Sequence, residues 1–213
     1  MYLSRAELDP ARRNTMTALV SPQKFHGAVE SSFEGERRRR LWRLDQLGGK
    51  LYLLLLSEEI PDLTDLCQQF GSGSGAETRD YTPLLDRVTA KSCWNFRLTA
   101  NPTHSCKKTE DLYARGALKP CYLEVEQKQW LCEQAKKHGF EVTEDSFIVA
   151  KKQTYHFKKS GVQEVTLLAV TYEGVLQVTE PDKFKTMLCE GLGRGKAYGL
   201  GLMTIVRHGG CYG

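Results

Sequence analysis

Two adjacent glycines, Gly48 and Gly49, constrain the fold of this chain more than any other feature of its sequence. They separate two apolar runs, residues 41–44 and 50–56, and a glycine turn between two such runs is typical of a β-hairpin. Apolar residues at helical spacing predict a helix near 22–34 before the hairpin and a short helix from Asp62 after it. The chain around this hairpin therefore alternates strands with helices.

The remaining elements of the first half complete a known order. Residues 2–8 are expected to form a first strand and residues 84–88 a last one, whereas the polar run 71–76 (GSGSGA) is interpreted as a flexible stretch. The resulting order, β-α-β-β-α-β, is that of the ferredoxin-like or RRM-like fold.

The second half of the sequence loosely repeats this order. Its predicted elements are a strand at 93–99, a helix at 124–138, β-rich runs at 147–157, 165–172 and 174–178, a helix at 181–189 and a closing strand at 198–206. The sequence therefore predicts an α+β protein of two tandem ferredoxin-like (RRM-like) βαββαβ domains, residues 1–88 and 91–213.

Composition argues against several classes of protein. With 213 residues, 40% of them hydrophobic, the chain can bury a core without disulfides or metals. Its longest apolar run, 51–56, is too short to span a membrane, and the first residues do not resemble a secretory signal. Seven cysteines without a Cys-x-x-Cys pair favour reduced thiols in the cytoplasm over a disulfide framework or a zinc site.

Positive charge is concentrated in the second half. Residues 81–213 carry 19 Lys/Arg and 14 Asp/Glu, which permits a nucleic-acid partner without requiring one. Four lysines bracket the aromatic run 155–157 on a predicted hairpin: Lys151, Lys152, Lys158 and Lys159. Such a ribbon can follow a phosphate backbone, and the alternative is a solvated hairpin tip. The four arginines at 37–40 are interpreted as a solvated edge.

A glycine-rich run at 191–201 (GLGRGKAYGLG) is a second candidate site. Glycines allow a backbone to approach a phosphate, and Arg194 and Lys196 add positive charge. The run is not a Walker loop, since Ala197 stands where a magnesium-binding hydroxyl would be. It is not a Rossmann motif either, because the predicted helix precedes it and the predicted strand follows it. The alternative interpretation is a surface turn.

None of the five histidines has metal-binding spacing, and no metal site is predicted. His26 differs from the others because it lies in the first turns of the first predicted helix. A single histidine in this position is often structural, so the sequence alone leaves its role open.

Three stretches together resemble the CasE family of CRISPR RNA-processing endoribonucleases. They are residues 1–4 (MYLS), 96–102 (FRLTANP) and 191–201 followed by Leu202 and Met203. The resemblance implies two tandem ferredoxin-like domains that bind a CRISPR repeat RNA hairpin and cut precursor RNA at its 3′ base. It further implies cleavage without metal or cofactor, leaving a 2′,3′-cyclic phosphate and a 5′-hydroxyl, and retention of the enzyme with other subunits of a type I-E Cascade complex.

The resemblance assigns roles to His26 and Gln23, and the charge that cleavage develops on the phosphate suggests candidates in the glycine-rich run. His26 falls on the family's catalytic histidine, and Gln23 stands three residues earlier, where relatives commonly carry a tyrosine. Lys196 is a candidate to stabilise the charge that develops on the phosphate. The backbone amides of Gly193, Arg194 and Gly195 are candidates for the same task.

Two other interpretations stay open at the level of sequence. One is an RNA-binding module, either of RRM type or a CasE-like subunit that cuts weakly because Gln23 replaces tyrosine. The other is an assembly subunit with no RNA site, against which the basic loop at 191–201 argues.

Overall fold

The computed structural model describes residues 1–36, 38–106, 117–159 and 163–209. The elements of the first half are β1 (Tyr2–Leu8), α1 (Arg13–Val20), α2 (Gln23–Ser31), β2 (Leu41–Leu47), β3 (Lys50–Ser57), α3 (Thr64–Phe70), β4 (Gly71–Asp80) and α4 (Thr82–Leu85). The strands form one antiparallel sheet in the order β2-β3-β1-β4. The predicted first strand, the hairpin and both predicted helices are confirmed, whereas the sequence pattern does not predict α1.

Two predictions about residues 71–88 are wrong. The polar run 71–76 belongs to β4, which pairs with β1 through Gly71 and residues 76–80 with a register shift between them, and residues 82–85 form α4 instead of a strand. All residues of β4 after Gly71 are exposed. Because the strand buries none of those side chains, it shows no apolar alternation, and its composition resembles that of a flexible loop.

The second half builds a second antiparallel sheet. Its elements are β5 (Cys93–Ala100), β6 (Thr103–Cys106), β7 (Ala117–Pro120), α5 (Glu124–Lys137), β8 (Phe140–Glu141), β9 (Phe147–Lys159), β10 (Gln163–Val178), α6 (Pro181–Glu190) and β11 (Met203–Arg207). The strand order is β11-β5-β10, with β9 and β8 both pairing with β10. The predicted α+β class is therefore confirmed. A separate hairpin, β6–β7, lies between β5 and α5 and is not predicted.

Two predicted strands differ in extent from the observed ones. The runs 165–172 and 174–178 are one strand, β10, because Gly174 allows its backbone to lie directly against Ser146 and Phe147. The closing strand begins at Met203, and residues 196–198 form a 3₁₀ turn.

Strand β3 is buried on both faces, which explains its continuous apolar run. Leu55 packs with the helices of the first half. Leu54 and Leu56 point the other way and pack with Tyr81 and with Leu202. Since Leu202 belongs to the second half, this second apolar layer joins the two sheets.

No helix in the described ranges is long and apolar enough to cross a membrane. Cys93 is disulfide-bonded, so the expectation of reduced thiols is wrong for that residue. Spacing along the chain does not show which cysteines meet in the fold. The described free thiols are Cys67, Cys121, Cys132 and Cys189.

Candidate functional site

In helix α2, His26 directly follows a buried aromatic residue. The preceding residue, Phe25, is fully buried, and its ring centroid lies 5.8 Å from that of Trp42 and 5.0 Å from that of Phe70. The side chain of His26 remains 21% exposed. Gln23 is the half-buried first residue of the helix, and its i, i+3 spacing places it on the same face as His26.

A carboxylate lies next to the imidazole of His26. Oε1 of Glu30, one turn further along α2, is 3.8 Å from Nδ1 of His26, and Oε2 accepts a 3.0 Å hydrogen bond from Nη1 of Arg40. The guanidinium of Arg40 lies 4.0 Å from the ring centroid of Phe33, and its side chain is only 5% exposed. A carboxylate held in this way favours the protonated form of a neighbouring imidazole.

The glycine-rich run at 191–201 is packed into the molecule, so the surface-turn interpretation is wrong. Its backbone has φ between 76° and 91° at five glycines, a conformation that other residues rarely adopt. A methyl group on Gly199 would lie 2.6 Å from the Trp42 ring, and one on Gly191 would lie 2.7 Å from Leu41. Glycine is therefore required both for the shape of the loop and for its contact with β2.

This packing places Lys196 beside helix α2. The 3₁₀ turn Lys196–Tyr198 contacts both α2 and β2. Burial lowers the pKa of Lys196, the nearby guanidinium of Arg39 lowers it further, and Glu190 opposes the shift. Arg39 is held in place by a 3.1 Å hydrogen bond from its Nη1 to the carbonyl oxygen of Glu190. Lys196 thus lies next to the helix that carries His26, with the guanidinium of Arg39 near it.

A cleft of about 760 Å³ runs between the two sheets. One wall is formed by β2 and the start of β3, and the other by β9, β10 and the 3₁₀ turn. Lys50 and Lys151 contribute basic groups to its lining, and Tyr155 and Tyr198 contribute aromatic ones. Its acidic lining residues are Glu7, Asp9, Asp45 and Glu173, of which Glu7 pairs with Lys50 at 2.9 Å. The cleft therefore offers polar, aromatic and charged surfaces of both signs to an extended ligand.

The predicted basic ribbon is divided between two faces of the sheet. A bulge at Ala150 shifts the register of β9 against β10, and both Ala150 and Lys151 line the cleft. Lys152 points the other way, where its Nζ lies 3.2 Å from Oε2 of Glu124 on α5. The ribbon is therefore not one continuous basic surface.

The remaining predicted binding residues are placed as follows. The backbones of Lys158 and Lys159 pair with β10, while their side chains lie outside the described part of the structure. Arg194 is exposed and forms a β-bridge with Asn101. Gly193 and Gly195 flank it with positive φ.

Sequence reasoning missed the basic residues just before β2. Of the run interpreted as a solvated edge, Arg38 is exposed and pairs with Glu58, but Arg40 is buried against Glu30 and Arg39 reaches α6. Residue 37 lies outside the described residues. The carboxylate at Glu30, four residues after His26, is the signal that could have indicated a buried arginine partner.

Residues 1–207 match the model of a family described as CRISPR associated protein. The chain belongs to this family. A curated relative, the CRISPR-associated endoribonuclease Cse3 of Thermus thermophilus, is 29% identical over 225 residues, which cover 96% of this chain and 99% of the relative.

Two solved structures have the same fold. A CRISPR endoribonuclease Cse3 bound to a 19-nucleotide RNA is 25% identical, with a TM-score of 0.79 over 97% of this chain and 100% of that one. A chain of a CRISPR RNA-guided surveillance complex is 20% identical, with a TM-score of 0.71 over 98% and 100% of the two chains. The expected relationship to the CasE family and the fold of two tandem ferredoxin-like domains are both confirmed.

Proposed function

We propose that this protein is a cytoplasmic endoribonuclease that binds the hairpin of a CRISPR repeat and cuts precursor RNA at its 3′ base without a metal ion. The packing of the Lys196–Tyr198 turn against α2 carries the proposal, because it brings the helix that carries His26 beside Lys196 of the second half. Family membership and the likeness to Cse3 support RNA processing as the activity.

Cleavage requires three events at the scissile phosphate. The ribose 2′-hydroxyl loses its proton and attacks the phosphorus in line, and the leaving 5′-oxygen gains a proton, which gives a 2′,3′-cyclic phosphate and a 5′-hydroxyl. We assign one proton transfer to His26, since an imidazole titrates near neutral pH and such assistance is worth about 10²–10⁴-fold. Oε1 of Glu30, 3.8 Å from Nδ1, is assigned to stabilise the protonated form of this imidazole.

Lys196 and the amides of residues 193–195 are assigned to the charge that develops on the phosphate oxygens. The lowered pKa of Lys196 fits this task, because a partly desolvated ammonium interacts more strongly with an anion than a solvated one does. The positive φ values of Gly193 and Gly195 shape the loop around Arg194.

RNA affinity is assigned to the cationic side chains of the second half. The place of Lys151 in the cleft lining and the exposure of Arg194 support this assignment, and Lys152, Lys158 and Lys159 lie on the same strand as Lys151. An A-form stem presents mainly its backbone, so we expect phosphate contacts to dominate. Retention of the product and assembly with other Cascade subunits follow from the family resemblance and are supported by the fold shared with a surveillance-complex chain.

A second candidate function is RNA binding with weak or no cleavage. It is favoured by one observation, that Gln23 stands on the face of α2 shared with His26. An amide can orient the 2′-hydroxyl but cannot transfer its proton as a phenol can.

Single-turnover cleavage of a repeat hairpin from the host CRISPR array, in EDTA, tests both candidates. Wild type should give cyclic-phosphate ends, His26→Ala should bind RNA within a few-fold but not cut, and the control His208→Ala should cut normally. Equal cleavage by wild type and His26→Ala would overturn the assignment. Binding by a wild type that does not cut, with cleavage gained in Gln23→Tyr, would establish the second candidate.

A further inference from the structure

Three potential metal ligands lie together at the base of the β6–β7 hairpin, outside the candidate site. They are His104 of β6, Cys121 just after β7 and Glu126 in the first turn of α5. One ligand atom of each lies within 4.8 Å of those of the other two. Because the three residues come from separate elements, their spacing in the sequence does not resemble a zinc motif.

The separation of the histidine and cysteine atoms is that of a zinc site. Nδ1 of His104 lies 3.4 Å from Sγ of Cys121. With zinc bonds of about 2.05 Å to nitrogen and about 2.3 Å to sulfur, tetrahedral geometry sets these two atoms about 3.6 Å apart. The pair needs almost no rearrangement, and a carboxylate oxygen of Glu126 lies within 4.8 Å of both atoms.

The surrounding backbone holds Cys121 in a fixed position. Its N–H donates a 3.0 Å hydrogen bond to the carbonyl oxygen of Pro102, and its own carbonyl accepts a 2.8 Å hydrogen bond from Nε2 of Gln127. The carboxylates of Glu126 and Glu133 lie near the thiol, and their negative charge favours a bound cation.

We propose that His104, Cys121 and Glu126 bind a zinc ion that fastens the β6–β7 hairpin to helix α5. Imidazole nitrogen, thiolate sulfur and carboxylate oxygen are all zinc ligands, and three protein ligands leave one tetrahedral position for water. On binding, the Cys121 thiol releases its proton to solvent, and no group is oxidised or reduced. The role is structural, since no ligand lies on α2 or in the loop 191–201.

Cobalt(II) titration of the full chain, stripped of metal by a chelator, tests the site. Tetrahedral cobalt with a thiolate ligand gives visible d–d bands and a near-ultraviolet charge-transfer band. Wild type should bind one equivalent with both bands, and zinc should displace it. Cys132→Ser is the matched control. It removes a half-buried thiol from α5, the helix that carries Glu126, and should behave as wild type.

Variants of the three ligands separate this site from other thiols. Cys121→Ser should lose the charge-transfer band. His104→Ala and Glu126→Gln should weaken binding more than about tenfold, since even indirect neighbours of a metal cost about 10–100-fold. Glu126→Gln keeps an oxygen that can accept the N–H of Leu123, so the helix cap is retained.

Thermal unfolding supplies a readout that is independent of RNA cleavage. Zinc should raise the unfolding midpoint of wild type and of Cys132→Ser but not of His104→Ala, whose side chain is exposed. A wild type without the one-equivalent charge-transfer band would overturn the proposal, as would the same band in Cys121→Ser. The 3.4 Å contact would then be only a hydrogen bond between thiol and imidazole.

Discussion

Nη1 of Arg43 on β2 donates a 2.7 Å hydrogen bond to the carbonyl oxygen of Leu202, so a buried guanidinium of the first sheet ends on the backbone of the second half. Arg43 also donates to both carboxylate oxygens of Asp45, to the carbonyl oxygen of Arg97 and to the hydroxyl of Thr204. A guanidinium has five N–H groups, and these five bonds engage its full donor capacity. The network fixes the two sheets to each other.

Loss of this guanidinium should destabilise the fold strongly. Arg43→Ala leaves the buried carboxylate of Asp45 with Arg97 at 3.6 Å as its remaining cation, and breaking a buried pair costs about 3–5 kcal/mol. The double variant Arg43→Met with Asp45→Asn should lose less free energy of unfolding, because no charge is left uncompensated. Urea unfolding measures both, and equal losses would mean that packing rather than charge carries the effect.

The contact between Gly199 and Trp42 should be sensitive to a single methyl group. Gly199→Ala both strains a backbone at φ +79° and overpacks the indole, and we expect a loss of about 1–3 kcal/mol. Gly35→Ala is the matched control, because its φ is +83° but no atom lies within 4 Å of an added Cβ. Thermal unfolding should therefore separate strain alone from strain with overpacking. Similar midpoints for the two variants would contradict the importance of the indole contact.

Removal of the carboxylate beside His26 should shift the pH dependence of cleavage. Glu30→Gln removes a negative charge that favours the imidazolium and leaves Arg40 unneutralised, so the protonated form of the imidazole should be less favoured. The limb of the pH–rate profile that reports His26 should move to lower pH, with little change in RNA affinity. Glu58→Gln, which loses an exposed ion pair, should not move it. A slower but unshifted profile would indicate a purely structural role for Glu30.

We expect Lys196 to lower the free energy of unfolding although it serves catalysis. Its folded-state pKa lies below the ordinary value, so the folded protein binds this proton less tightly than the unfolded chain does. Lys196→Met should therefore slow cleavage yet not lower the unfolding midpoint at neutral pH. Any gain in stability should disappear as pH rises past the ordinary lysine pKa of about 10.4, where both states of wild type are neutral.

A second measurement on the same variant checks the electrostatic argument. Lys196 contributes to the lowered pKa of His138, after burial. An NMR titration should show the pKa of His138 rising in Lys196→Met. An unchanged His138 titration would contradict the proximity on which the stability argument depends.

The two faces of β9 should differ in their contribution to RNA binding. Lys151→Ala should lower the slope of log affinity against log salt by about 0.7–0.9, the value of one phosphate contact. Lys152→Ala should change it less, because a contact there competes with the pair to Glu124. Filter binding across a salt series compares them. A larger effect at Lys152 would place the RNA on the helical face of the sheet.

The sequence predicts the elements whose side chains are buried in a regular pattern. The hairpin around Gly48 and Gly49, helix α5 and strand β5 all follow from apolar spacing. Strand β4 does not, because its stability comes from backbone pairing with β1 while its side chains face solvent. Helix α1 has only two buried residues, Thr15 and Ala18, too few to produce a clear apolar stripe.

The candidate site is predictable only in part for a similar reason. The glycine-rich run and His26 are visible in the sequence. Their proximity in the fold depends on the packing of Gly199 against Trp42. The burial of Arg40 depends on a tertiary ion pair. The placement of Lys151 and Lys152 on opposite faces of the sheet depends on a bulge in β9. Neither leaves a periodic signal along the chain.

The packing of a loop from the second half onto the first has a consequence during synthesis on the ribosome. A nascent chain that has emerged only as far as residue 190 can form α2 and the first sheet, but it lacks Lys196 and the turn that covers Trp42. His26 and Lys196 therefore come together late in translation. Until then the growing polypeptide carries only half of the proposed catalytic apparatus. We therefore expect it not to cut RNA before its binding surfaces have formed.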